Sequence, residues 1–254
     1  MEGVADMPII DVHSHLGYDQ VFDHDFRAEE LLAAQERNGV EITIVQPASC
    51  VALDSVRAQH NAIAAFVRRY PGRFYGMANP NPHLPDDEYR REVRRCMTDL
   101  GFVGLKMHPL AHAVNPTGKA ARKVFEMAAE LDVPLMIHTG MGVPFALPSQ
   151  IIEPAQAFPD VRIVMAHGGM SMFSAEALIV AKQCPNVTLE TTWIGPHIVR
   201  NFCTQIGADR VLFGSDHADN QSTEMEKIRS CGISSEEIDW VLGGTAARIY
   251  RLPR

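Results

Sequence analysis

The segment Ile9-Ile10-Asp11-Val12-His13-Ser14-His15 ends an apolar run with two imidazoles two residues apart. Side chains alternate along a strand, so Asp11, His13 and His15 are expected on one face. The two imidazoles can then reach one metal ion, and Asp11 is a candidate to orient one of them. An isolated HxH pair is weak evidence, but other apolar runs also end in polar groups. Lys106 and His108 close Gly104-Leu105-Lys106-Met107-His108-Pro109, and His138 closes Met136-Ile137-His138-Thr139-Gly140. His167 closes Met165-Ala166-His167-Gly168-Gly169, and Asp216 with His217 closes Phe213-Gly214-Ser215-Asp216-His217. Any one of these histidines reads most simply as a hydrogen-bonded core or rim residue. Several converging with a carboxylate are hard to satisfy without a cation, because buried polar groups need partners. Imidazole plus carboxylate suits zinc, with iron, manganese or nickel as alternatives.

These groups must be carried by a scaffold, and the sequence outlines one. Apolar runs recur at Pro8–His15, Glu41–Gln46, Phe74–Asn79, Val103–His108, Pro134–His138, Arg162–His167, Val187–Thr192 and Val211–Asp216. Most are nearly continuous, as strands buried on both faces should be. Helical patterns lie between them at Phe26–Asn38, Asp54–Arg69, Asp86–Leu100, Thr117–Leu131, Ser149–Phe158, Ser171–Gln183, His197–Ile206 and Thr223–Cys231. Ser235–Tyr250 adds a last helical stretch, with Ser234 or Ser235 as its cap and Glu236 and Glu237 in its first turn. Alternating β–α pairs without a long linker predict a single (β/α)8 barrel domain over residues 1–254, with the polar strand ends gathered at one mouth. An open doubly wound sheet is the competing fold, but it calls for a Gly-rich phosphate turn after the first strand, and His13-Ser14-His15-Leu16-Gly17 is not one.

Composition narrows the function classes. The 254 residues carry a formal net charge of −8 with histidines neutral, which argues against a nucleic-acid partner. The five cysteines are scattered without a CxxC pair, so free thiols and a cytoplasmic location are expected. The acidic start of the chain has neither the basic nor the apolar region of a signal peptide, and no apolar run approaches a membrane span. The expected partner is a small-molecule substrate.

Taken in order, Asp-Val-His-Ser-His, Gly-Leu-Lys-Met-His-Pro, His-Thr-Gly, Ala-His-Gly-Gly and Phe-Gly-Ser-Asp resemble the motifs of the amidohydrolase superfamily. The chain is most similar to its "amidohydrolase 2" branch, which includes aminocarboxymuconate semialdehyde decarboxylase. The tail Leu242-Gly243-Gly244-Thr245-Ala246-Ala247-Arg248-Ile249-Tyr250 resembles that branch's closing helix, with Thr245 where Asn is usual. The resemblance implies a barrel with one or two divalent ions, most simply Zn2+. It implies that His13, His15, His138 and Asp216 are metal ligands and that Asp216 also handles a proton. His167 would bind a second ion or act directly on substrate. Lys106 would bridge two ions as a carboxylated lysine, or stay free and place positive charge near a substrate carboxylate; its Lys-x-His-Pro setting differs from that of the binuclear relatives. Barrels of this branch often pair through outer helices, so a homodimer is left open.

Two chemistries use these ligands. In hydrolysis of a small amide, ester or lactone, a metal-activated water attacks and Asp216 relays the proton. In non-oxidative decarboxylation of a small carboxylic acid, a proton is delivered to carbon and CO2 leaves. No arginine stands just beyond the strand ends to hold a second carboxylate, and Arg57 and Arg200 read as helix-surface charges, so hydrolysis is the main expectation. A metal-free, non-catalytic barrel is the remaining alternative. The substrate-binding candidates are Lys106, His108, Trp193 and His217, with Tyr18 and His112 also on the rim, whereas Met77 and Met141 are expected in the core.

Overall fold

A computed structural model describes residues 7–252. Eight strands run parallel around a barrel: β1 (Ile10–Asp19), β3 (Ile42–Pro47), β4 (Phe74–Ala78), β5 (Gly104–Met107), β6 (Leu135–His138), β7 (Ile163–Ala166), β8 (Val187–Glu190) and β9 (Val211–Leu212). Each coincides with one of the eight apolar runs. The short antiparallel β2 (His24–Phe26) is an addition that sequence patterning missed; it folds back on the extended end of β1 through Gly17–Phe26, Tyr18–Asp25 and Asp19–His24 pairs. The sheet does not stay open. Val12 N donates to Phe213 O at 3.2 Å, His15 N to Asp216 O at 3.2 Å, and Ser215 N to His13 O at 3.1 Å, and Ser14 bridges Asp216 in parallel. These bonds close the barrel and exclude the doubly wound alternative.

Helices α1 (Ala28–Asn38), α2 (Leu53–Arg69), α3 (Asp86–Thr98), α4 (Lys119–Glu130), α5 (Ile152–Ala157), α6 (Met170–Gln183), α7 (Pro196–Ile206) and α8 (Gln221–Ser230) alternate with the strands. Their apolar stripes explain the packing. In α3 the buried residues are Tyr89, Glu92, Val93 and Cys96, a 3–4 spacing that turns one face to the sheet and leaves its many charges in water. Gly39 ends α1 in the left-handed region, as expected of a helix terminator. Two short helices, α9 (Ser235–Asp239) and α10 (Thr245–Tyr250), flank a π-turn at Trp240–Gly244. Ser234 caps α9 in a reciprocal box with Glu237. A Cβ at Gly243 would strike the Pro8 carbonyl, so the Gly-Gly of the tail lets it close against the start of β1.

Strand alternation divides the core in two. Val45, Phe74, Ala78, Leu105, Met107, Leu135 and Leu189 face the helices. Ile10, Val12, Ile44, Met77, Met136, Val164 and Leu212 fill the barrel axis. Full burial of such side chains stabilises by about 1.5–3 kcal/mol each. The apolar plug fills the lower layers and leaves the carboxyl ends of the strands for polar residues. Met77 lies in this plug as expected, but Met141 stands on an exposed loop after β6. All five cysteines are free and buried. Among the described residues no helix is long and apolar enough to cross a membrane.

Candidate metal centre

The pairing of β1 with β3 shifts register between Asp11 and Ser14. This irregularity breaks simple alternation and overturns the expectation that Asp11 shares a face with His13 and His15. Asp11 instead accepts Ser215 Oγ at 2.6 Å, Gln221 Nε2 at 2.9 Å, Ser215 N at 3.0 Å and His13 N at 3.1 Å. It clamps β1 to the end of β9 and touches no imidazole. Burial pushes its carboxyl up to about 6, against these hydrogen bonds.

The residue that orients His13 is Glu190, which sequence reading missed. It is fully buried at the end of β8 and accepts His13 Nδ1 at 3.1 Å, His167 N at 2.9 Å, Thr192 N at 2.6 Å and Thr192 Oγ1 at 2.8 Å. The available signal was a lone carboxylate closing the apolar run Val187-Thr188-Leu189-Glu190. Its approach depends on Gly214, where a Cβ would lie 2.8 Å from both Glu190 Oε1 and His13 Cβ.

With Nδ1–H donated to Glu190, the neutral His13 ring turns the lone pair of Nε2 to the centre of the mouth. There it meets Lys106 Nζ at 2.8 Å, Asp216 Oδ1 at 3.2 Å and His15 Nε2 at 3.3 Å. His15 Nε2 lies 3.3 Å from the same Asp216 oxygen. His13, His15 and Asp216 thus point one donor atom each into a space within 4.8 Å. Acceptors gathered this closely call for a positive charge among them, and both donor types suit a divalent cation. Burial pushes His13 well below its ordinary value, with the Lys106 charge adding to the effect. Burial works to raise Asp216, but the imidazoles of His13, His167 and His15 outweigh it and hold the carboxyl well below its usual range. A neutral imidazole beside an ionised carboxylate is the protonation state a metal requires.

His138 stands one ring away from this trio. Its Nε2 donates to Met141 O at 2.9 Å, which leaves Nδ1 to face His167 Nε2 at 3.1 Å. His167 Nδ1 in turn meets Thr192 Oγ1 at 2.6 Å, so a hydrogen-bonded chain runs from His138 through His167 and Thr192 to Glu190. Burial lowers His138 to about 4 and His167 well below its ordinary value. Lys106 is also buried, which lowers it to about 8 against the pull of Asp216 and Glu190.

Three residues at the strand ends adopt positive φ without being glycine: His167 at 66°, Trp193 at 62° and Asp216 at 64°. Each such backbone costs of order 1–3 kcal/mol and persists only where its surroundings hold it. For Asp216 the hold includes Trp193 Nε1, which donates to Oδ2 at 2.8 Å, while His217 Nε2 faces the same oxygen at 3.5 Å.

A cavity of about 340 Å³ opens above these groups, lined by His15, His108, His138, His167, Asp216 and His217 among others, with Phe22, Leu110, Met141 and Met170 as apolar walls. His108 stacks on His138 with ring centroids 4.1 Å apart. Of the predicted substrate-binding residues, His108 and His217 line this cavity and Lys106 lies buried at the ion site. Trp193 touches the site through Asp216, and Tyr18 is exposed on β1. A larger hollow of about 520 Å³ lies outside the first and shares His15, His24, Phe26 and His217 with it.

A second cluster, His60, Glu92 and Cys96, also has metal-like spacing. Its groups are already satisfied. His60 Nδ1 bonds Glu92 at 2.7 Å, His60 Nε2 accepts Asn79 N at 3.1 Å, and Arg57 and Arg95 flank Glu92. Arg57, read from sequence as a surface charge, serves this buried pair.

The Amidohydrolase family model matches residues 10–252, so the chain belongs to the amidohydrolase family. A 2-keto-4-carboxy-3-hexenedioate hydratase of Sphingobium sp. is 29% identical over 189 residues, covering 60% of this chain and 55% of that protein. A gamma-resorcylate decarboxylase of Rhodococcus jostii is 28% identical over 96 residues, covering 34% of this chain and 29% of that protein. The chain therefore spans about half the length of the first relative and under a third of the second. The structure of a dihydroxybenzoic acid decarboxylase from Polaromonas sp., with bound manganese and the inhibitor 2-nitroresorcinol, superposes with a TM-score of 0.76 at 18% identity over 98% of each chain. That likeness shows the barrel fold.

Proposed function

We propose that this member of the amidohydrolase family is a metal-dependent lyase that removes CO2 from a small carboxylic acid bearing an oxygen beside the carboxylate, a hydroxybenzoate being the first class to test. The observation that carries the reading is Lys106. Its ammonium is buried beside the metal donors, and its one hydrogen bond is to His13. Among the described residues no carboxylate lies within ion-pair reach of it. A buried ammonium beside a cation site, drawn by Asp216 and Glu190 only from beyond ion-pair distance, favours a substrate that carries a carboxylate. A neutral ester or amide makes no use of that charge, which favours the decarboxylase alternative over the hydrolytic expectation. Two relatives named as decarboxylases support the same choice.

His13, His15 and Asp216 would hold the ion, with His138 and His167 adjacent. Manganese is the metal in the Polaromonas relative, and zinc remains the alternative. When bound, the ion supplies a Lewis acid for the substrate's carboxylate and neighbouring oxygen. The remaining work belongs to side chains. Phe22, Leu110, Met141 and Met170 offer apolar walls to a flat ring. Lys106 holds the carboxylate until the carbon–carbon bond breaks. The electron pair left on carbon takes a proton, and Asp216, which lines the cavity and is held by Trp193, is the group to pass it on after collecting it from substrate or solvent.

The test is CO2 release from gamma-resorcylate and other ortho-hydroxybenzoates by manganese- and zinc-loaded protein, beside a panel of lactones and esters. Asp216→Asn should abolish turnover and leave the fold intact. Turnover of a lactone or ester with no CO2 released from any acid would restore hydrolysis.

A further inference from the structure

We propose that Glu224 is a positioning residue for Asp216 and acts through Trp193, an assignment that rests on Asp216 serving at the metal centre and not on which reaction the centre performs. Trp193 needs a hold from outside its own strand. Its side chain is 43% exposed, so packing alone does not fix it, and its backbone sits at a φ of 62°. Even so, Trp193 Nε1 donates to Asp216 Oδ2 at 2.8 Å. That bond forms only while both residues keep their left-handed backbones, a conformation that persists where the surroundings over-determine it.

Helix α8 supplies the constraint. Glu224 Oε1 accepts Trp193 N at 3.0 Å and Asn220 Nδ2 at 3.1 Å. Asn220 Nδ2 also donates to Ser215 O at 3.2 Å, the carbonyl just before Asp216. One carboxylate oxygen therefore ties down the backbone on both sides of the Trp193–Asp216 bond. The rest of the turn after β8 is held in the same way. Lys227 Nζ donates to Thr191 O at 2.7 Å and pairs with Glu224 Oε2, while Thr192 N donates to Glu190 Oε1 at 2.6 Å. Thr191, Thr192 and Trp193 are thus each pinned by a different buried charged side chain.

Glu224 and Lys227 are both buried. A buried ion pair adds little net stability, because desolvation offsets much of the attraction. What this pair provides is direction. A charged acceptor binds a backbone N–H more strongly than a neutral one does, and the bonds of the pair point at the turn that carries Trp193 and at Asn220. An apolar pair could fill the same volume, but it would leave Trp193 N and Thr191 O without partners.

Trp193 and Trp240 are the two tryptophans of the chain, so Trp240→Phe leaves Trp193 as the one indole. Ultraviolet resonance Raman spectra of the metal-free protein then read the strength of its N–H hydrogen bond, with Asp216→Ala marking the band position when that bond is lost. Glu224→Ala should move the band most of the way to this mark. Glu224→Ala with Lys227→Met, which leaves no buried charge unpaired, should do the same, whereas Lys227→Met alone should keep the wild-type band. A wild-type band in the folded Glu224 variants, or an equal displacement in Lys227→Met, would overturn the assignment. On any accepted acid, Glu224→Ala should lower kcat about tenfold with KM within twofold, and should add nothing to the loss in Trp193→Phe; additive losses would also overturn it. If no acid yields CO2 but the band moves as expected, the decarboxylase reading falls and the positioning role stands. If CO2 is released while the band stays in place, the positioning role falls and the decarboxylase reading stands.

Discussion

Glu190→Gln isolates the part of the site that touches no substrate. The carboxylate collects four donors: His13 Nδ1 and His167 N with Thr192 Oγ1 on Oε2, and Thr192 N on Oε1. Both oxygens face an N–H, so the amide group of glutamine must confront at least one donor whichever way it flips. Losing one hydrogen bond to a buried carboxylate costs about 1.5–3 kcal/mol. If the amide faces His13, that ring loses the partner that fixes its Nε2 lone pair toward the centre. Removing the group that orients a metal-binding histidine typically weakens metal binding by about 10–100-fold, and each factor of ten is about 1.4 kcal/mol. Competition between the protein and a chromogenic chelator for manganese or zinc measures the change directly, and circular dichroism of the metal-free variant checks the fold. A folded Glu190→Gln protein that binds metal within twofold of wild type would refute the claim that this carboxylate sets the ring.

Three further outcomes follow from the same geometry. Gly214→Ala should drive Glu190 and His13 apart, because its Cβ would sit 2.8 Å from each; loss of metal binding exceeding that of Glu190→Gln, read by the same competition, is the expected result. Trp193→Phe removes the 2.8 Å bond to Asp216 Oδ2 and should lower kcat on any accepted acid by roughly tenfold while metal content stays full; an unchanged kcat would release Trp193 from this role. The metal-free protein should lose stability as pH falls from 6.5 toward 4. His112 and His138 are lowered to about 4 by burial, so the unfolded chain takes up protons in this window before the native one, at about 1.4 kcal/mol per pH unit per group. Asp11, raised to about 6 by burial, opposes this over part of the range, but His13, His108 and His167 are lowered as well. Urea midpoints that stay level or rise on acidification would contradict the sign.

Hydropathy patterning alone located all eight barrel strands, because a strand buried on both faces leaves a continuous apolar run that no neighbour can alter. The same rule marked His15, Lys106, His138, His167 and Asp216, since a polar residue closing such a run lies at the open end of the barrel. The helix cap was narrowed to Ser234 or Ser235, and the reciprocal bonds with Glu237 select Ser234. What alternation could not foresee was where alternation fails: the irregularity after Asp11 is set by pairing with β3 and by the clasp to Ser215 and Gln221, more than two hundred residues distant in the chain. Glu190 closes an apolar run, yet its role as the partner of His13 had no sign in the sequence. That role depends on which atoms meet across the barrel, and hydrogen bonds between distant segments are fixed only once the sheet has closed. Sequence therefore determined the scaffold and most of the candidate ligands, whereas the orientation of each ring and the burial of Lys106 against His13 were decided by tertiary contact.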